Sequence, residues 1–140
     1  MNFSSIYIYV FFYVFLCTSC NNPSIARKTT GEYVFNPYAS SLLTREEEIL
    51  FDKMTLKMYK NGLFEFSREI PDCGINGSWE VVYDDIYTHV MLHPKTGFYS
   101  QMSTCCDSKG CIYIGYKMVE TRDGHELAHI AFKKIKNSSP

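Results

Sequence analysis

From Met54 onward, short runs of the chain alternate apolar and polar residues at every second position. Gly31 to Asn36, GEYVFN, predicts a first strand. Met54, Leu56 and Met58 alternate with Thr55, Lys57 and Tyr59, and after Asn61-Gly62, Phe64 and Phe66 alternate with Glu65 and Ser67. Period-two alternation marks a strand with one buried face. Asn-Gly between two such runs is a strong hairpin signal, because both residues accept the positive φ of a type I′ turn. Gly77 opens a further strand with Trp79, Val81 and Tyr83 on one face. Asp84-Asp85 predicts a turn. Thr88, Val90 and Leu92 then face inward, until Pro94 and Gly97 end the run. Phe98 to Ser103 reads as another strand, Asp107 to Gly110 as a turn, and Ile112, Ile114, Tyr116 and Met118 as one side of a long strand.

One stretch breaks the alternation. Thr44-Arg-Glu-Glu47 is a capping-box pattern, followed by Ile49, Leu50 and Phe51. A hydroxyl and a carboxylate there satisfy the free N–H groups of a helix start, which predicts a short helix near 45–52. No repeat at solenoid periods is present. The pattern therefore predicts a mainly β domain: an antiparallel meander of 6–8 strands closing into a small barrel or curled sheet, with one short helix. Closure removes edges that would template aggregation. Eleven Tyr, ten Phe and one Trp fit this picture, since aromatic side chains suit a pleated, half-buried surface.

Charge excludes more than it identifies. Fourteen Lys and Arg are interspersed among fifteen Asp and Glu, for a net charge of −1. No basic stripe points to nucleic acid, and no acidic block points to a disordered tail.

The N-terminus has another character. Ile6 to Cys17, IYIYVFFYVFLC, is an unbroken apolar run that matches the h-region of a secretory signal, about 7–15 residues. It is shorter than the about 20 residues a membrane-spanning helix needs. Thr18-Ser19-Cys20 and the polar Asn21-Asn22-Pro23-Ser24 follow. This end of the run reads as an ordinary cleaved signal or an uncleaved anchor, and it also resembles the lipobox of bacterial lipoproteins. That resemblance implies removal of residues 1–19 and a lipid on the Cys20 sulfur. It implies export to a bacterial cell envelope, anchored in the outer membrane rather than the inner. Residues 20–30, polar with Pro and Ser, then read as a flexible tether. Residues 31–136 form the β domain and 137–140 a tail. The block MTLKMYKNGLFEFSREIPDCGINGSWEVVYDD resembles the small lipocalin-like domains of many bacterial lipoproteins, which implies the fold and no particular binding residue.

Export changes how the remaining cysteines read. Cys73, Cys105, Cys106 and Cys111 are an even set, which in an oxidising compartment predicts two disulfides. A Cys105–Cys106 bridge would be strained, which favours Cys73 with one of that pair and Cys111 with the other. A four-thiolate zinc site is the rival reading, although the paired C-x₂-C spacing is missing.

His125-Glu126-Leu127-Ala128-His129 spells H-E-x-x-H, the zincin signature. In zincins two His one helical turn apart bind Zn²⁺ and the Glu activates its water. A helix is conceivable, because Asp123 can cap and Leu127, Ala131 and Ile135 recur at four-residue steps. The strand reading rests on Ala128, Ile130 and Phe132 alternating with His129, Ala131 and Lys133. On a strand the two imidazoles lie about 13 Å apart. No third ligand follows His129, whereas a catalytic zinc needs three protein ligands. The motif is expected to be a coincidence of a strand, with His125 and His129 kept only as a remote zinc pair. His89-Val-Met-Leu-His93 carries copper-type ligands with the same spacing problem.

The expected protein is thus an exported, membrane-anchored, non-enzymatic lipoprotein without a cofactor. Its work is expected to be binding an envelope protein partner or a structural role. The alternative is a small apolar ligand held inside the barrel, with Trp79, Tyr83, Phe64 and Phe66 as pocket residues.

Overall fold

In the computed structural model of the chain, residues 23–83, 88–97, 102–106 and 110–135 are described. Eight antiparallel strands follow one another around a closed barrel, each hydrogen-bonded to its neighbours in sequence: β1 (Gly31–Phe35), β2 (Thr55–Met58), β3 (Leu63–Ile70), β4 (Gly74–Tyr83), β5 (Thr88–Pro94), β6 (Met102–Cys106), β7 (Cys111–Thr121) and β8 (Gly124–Lys134). The expected antiparallel meander closing into a small barrel is what forms. Closure is the β1–β8 pairing, in register at Tyr33–Lys134, Val34–Lys133 and Phe35–Phe132. The inward positions are those of the sequence pattern. Leu56, Phe64, Phe66, Trp79, Val90, Leu92, Ile112, Ile114, Ala128, Ile130 and Phe132 are all buried. Edge-on ring contacts link the core, with Phe64–Phe66 centroids at 5.4 Å, Phe35–Phe51 at 5.9 Å and Phe35–Phe132 at 6.4 Å.

Among the described residues two helices pack at the barrel ends, where the sequence predicts one. The predicted helix is α2 (Arg45–Phe51), in the crossover from β1 to β2, and its capping box is complete. Thr44 Oγ1 accepts from the Glu47 N–H at 3.2 Å and Glu47 Oε2 accepts from the Thr44 N–H at 2.9 Å. Its one buried residue, Phe51, packs on Phe35 and edge-on to Tyr116 at 5.5 Å. The Lys117 ammonium donates to Glu47 and straps α2 to β7. The other helix, α1 (Pro23–Thr29), replaces the expected flexible tether over those residues. Ala26 packs against the core and Thr29 is buried. The Tyr33 hydroxyl donates to the Thr29 carbonyl at 2.6 Å and Lys134 Nζ donates to the Lys28 carbonyl at 2.7 Å. A buried phenol needs such an acceptor, and α1 supplies it.

Local chemistry corrects two further expectations. The turn after β2 is not type I′. Gly62 alone takes positive φ, at 80°, the Gly62 N–H donates to the Tyr59 carbonyl at 3.1 Å, and the Tyr59 N–H donates to the Leu63 carbonyl at 2.8 Å. This is a type I turn closed by a glycine bulge. Met118 is exposed rather than inward. A register shift between Gly115 and Lys117 reverses the faces of β7, because a bulge adds a residue to one strand of the pair.

The disulfide joining Cys73 to Cys105 or Cys106 does not form. In an up-and-down barrel the turns alternate between ends. Cys73 lies in the β3–β4 turn, beside Gly97. Cys105, Cys106 and Cys111 flank the β6–β7 turn at the opposite end. Each residue along a strand adds about 3.3 Å, so the separation is on the order of 20 Å or more. A disulfide needs Cα atoms about 4.4–6.8 Å apart. Cys73 is a buried thiol. The side chains of Cys105 and Cys106 lie outside the described residues, and with them the expected pairing of Cys111, which is itself buried.

Two outcomes test this arrangement. Phe132 joins the closing strand to the ring cluster, so Phe132→Ala should lower unfolding free energy by about 3–5 kcal/mol in denaturant titration. Burial works to raise the Glu47 pKa, but the Lys117 hydrogen bond and charge and the Thr44 hydrogen bonds outweigh it, and the net shift is downward. The unfolded chain therefore binds the proton first as pH falls. The contribution of Glu47 is present above the ordinary carboxylate range and lost as pH drops through the lowered folded value. Glu47→Gln should accordingly cost stability at neutral pH and show a shallower acid dependence than wild type.

Candidate functional site

The H-E-x-x-H stretch lies within β8, which pairs with β7 along its length and buries Ala128, Ile130, Ala131 and Phe132. His125 stands opposite Glu120 and His129 opposite Gly115. Four residues of extended chain separate the two imidazoles by about 13 Å, whereas zinc holds each at about 2.0–2.1 Å. Glu126 projects from the other face of the strand and accepts from Thr121 Oγ1 at 3.1 Å. The Nδ1 of His129 lies 3.4 Å from Ser41 Oγ, beside a backbone bridge between the same residues. The three side chains of the motif thus have separate neighbours. Among the described residues, no group of three His, Cys, Asp or Glu side chains could hold a metal ion.

The second histidine pair behaves similarly. His89, Met91 and His93 alternate outward along β5, and His93 Nε2 is 2.8 Å from Glu80 Oε1 across the β4–β5 ladder. Cys73 also offers little nucleophilic chemistry. Burial, and then the neighbouring Asp72 charge, push its thiol up to about 11. The thiol is protonated at neutral pH, and the thiolate is the reactive form.

Of the residues expected to line an interior pocket, Phe64, Phe66 and Trp79 belong to the buried core. Phe64 and Phe66 are 2% and 1% exposed, and Phe66 lies 5.7 Å from Phe132, centroid to centroid. Trp79 is buried and its indole N–H donates to the Tyr59 carbonyl at 3.0 Å, which pins the β2–β3 turn. The Tyr83 side chain lies outside the described residues, as do Cys20 and the apolar run before it. Among the described residues no helix is long and apolar enough to cross a membrane.

What the pattern did not predict is a cleft of about 580 Å³ on the outer surface, over β3, β4 and β5. Tyr59, Leu63, Glu65, Asn76, Ser78 and His93 line it, and Tyr59 Oη donates to Glu65 Oε2 at 3.2 Å. The hollow follows from the close approach at Gly77, where a Cβ would lie 2.0 Å from the His93 carbonyl oxygen. A glycine inside a strand is the sequence signal for such an approach, and Gly77 carried it. A second open cleft, of about 620 Å³, runs along α2 between Phe35, Pro37, Arg45 and Ile49. Both mix apolar and charged walls. No protein-family model, curated protein or solved structure matches the chain.

A metal role for the motif is directly measurable. Zinc content of the purified chain should be the same in wild type and His129→Ala. Stoichiometric zinc present in wild type and lost in the variant would restore a hydrolase reading.

Proposed function

We propose that this chain is an exported lipoprotein of the bacterial cell envelope, anchored through Cys20, in the outer membrane. Its barrel is a solid, non-enzymatic module that works through its outer surface by binding an envelope protein or by a structural role. The observation that carries this reading is the packed interior. Phe35, Phe64, Phe66, Trp79 and Phe132 occupy the space that a ligand-binding barrel leaves open. An eight-stranded barrel has an interior just wide enough either to be filled by side chains or to hold one small ligand, and here ring contacts take the first course. The clefts on β3–β5 and along α2 open outward, with Leu63 and Ile49 exposed at their rims. Mixed polar and apolar surfaces of this kind suit a protein partner. The lipobox resemblance at Thr18-Ser19-Cys20 supports the anchor.

The lone Trp79 gives the test a probe. Titration of the full chain with an apolar fluorescent fatty-acid analogue should leave Trp79 emission unchanged, with no saturable signal. Saturable quenching would mean that the interior admits a ligand, and the apolar-ligand reading would replace this one.

A further inference from the structure

We propose that the outer cleft over β3, β4 and β5 is a binding site for a neutral saccharide. This goes beyond the reading above and does not depend on the anchor.

Strand register builds the site. Outward side chains stand in two rows across the three strands. Leu63, Ser78 and His93 are opposite one another in the first. Glu65 and Asn76 are paired in the second, and the Lys95 N–H donates to the Asn76 carbonyl at 2.8 Å, which carries the row on. Neighbouring strands lie about 4.8 Å apart, so each row is about 10 Å wide, and alternate residues set the rows about 7 Å apart. The central strand, β4, keeps unbroken register with β5 from Gly77–Pro94 to Tyr83–Thr88. Side chains on such a strand are placed more accurately than side chains on a loop. Tyr59 forms the remaining wall, and its hydroxyl donates to Glu65 Oε2 at 3.2 Å, which keeps the ring beside the rows. The cleft's volume, about 580 Å³, falls within the about 300–1,000 Å³ of small-molecule sites.

The chemistry of the walls selects the class of ligand. Glu65 and Lys95 carry opposite charges on either side of Asn76. An anion meets Glu65 and a cation meets Lys95, so neither sign gains the whole site. Charge alternates around the rim as well. Lys57 is opposite Glu65, Lys60 follows Tyr59, and Glu80 Oε1 lies 2.8 Å from His93 Nε2. Within the cleft the Asn76 amide and the Ser78 hydroxyl both donate and accept, Lys95 only donates and Glu65 only accepts. A ligand hydroxyl can answer all four. Apolar surface lies beside them, with Tyr59 and Leu63 41% and 49% exposed and Pro94 in the lining. A pyranose ring carries C–H groups on a face and hydroxyls around its edge, which suits an aromatic and aliphatic wall next to a bed of donors and acceptors. A wholly apolar ligand would leave those polar groups covered and unpaired, at a cost.

Calorimetric titration of the purified full chain, kept in a detergent without a sugar headgroup, tests this. The probes are four tetrasaccharides of equal length: neutral glucose, neutral N-acetylglucosamine, cationic glucosamine and anionic galacturonic acid. At least one neutral tetramer should bind saturably, and more tightly than either charged one. Asn76 and Ser78 are exposed, so Asn76→Ala and Ser78→Ala should keep the circular dichroism of the barrel. Each should weaken binding about three- to tenfold, as the loss of a hydrogen bond or two implies. Glu48→Ala, in the cleft along α2, should leave it unchanged. Absence of saturable binding by both neutral tetramers overturns the proposal, and so does binding that Asn76→Ala and Ser78→Ala leave intact or that Glu48→Ala weakens. Tightest binding by a charged tetramer would mean that one charged wall dominates, and the neutral class would be wrong.

Discussion

Everything in this fold depends on the short pairing between its first and last strands. Tyr33, Val34 and Phe35 of β1 pair with Lys134, Lys133 and Phe132 of β8, and without those pairs the meander is an open sheet with two edges. The same residues anchor the neighbouring structure. Tyr33 reaches up to the Thr29 carbonyl, Phe35 and Phe132 face each other in the core, and the Asn36 N–H carries the ladder on to the Ala131 carbonyl at 2.8 Å. Ring closure, end-capping and core packing are therefore one cooperative unit. The closing contacts are also the most distant in sequence, which makes closure the slow, entropically costly event of folding.

Much of this was legible in the sequence. Period-two alternation placed β1 to β5, β7 and β8, and the Thr44–Glu47 capping box placed α2, because both signals are local. The misses have a common cause. Helix α1 has no apolar stripe of its own; it exists because the barrel mouth and the Tyr33 hydroxyl need cover. Met118 turned outward because of a bulge three residues before it, which no alternation rule anticipates. The turn after β2 follows the glycine-bulge geometry, with Asn61 on the ordinary side of φ and Gly62 alone in the left-handed region. The expected Cys73 bridge failed because linear spacing says nothing about which end of a barrel a turn occupies.

The candidate site shows the same division more sharply. H-E-x-x-H is a statement about side chains one helical turn apart, and β8 stretches that spacing to about 13 Å. Of the aromatic residues expected around a ligand, Phe64, Phe66 and Trp79 sit in the core, with Phe66 and Phe132 ring centroids 5.7 Å apart. The clefts that do exist arise from backbone approach at Gly77 and from the way α2 rests on the barrel. These are tertiary effects, visible in sequence only as an isolated strand glycine. The two described hollows lie on the outer surface, over β3–β5 and along α2.

The burial of Cys73 has a kinetic side. In the folded barrel its thiol is covered, protonated and at the opposite end from Cys105, Cys106 and Cys111, so it exchanges slowly with any disulfide. In the unfolded chain it enjoys none of that protection. In an oxidising compartment, the turn between β3 and β4 must therefore close faster than a passing oxidant or a neighbouring cysteine can capture the thiol. The yield of correctly folded protein would then be set by a race between a local hairpin and thiol chemistry. The hairpin holds the advantage, because its formation takes on the order of microseconds while disulfide formation takes seconds or longer.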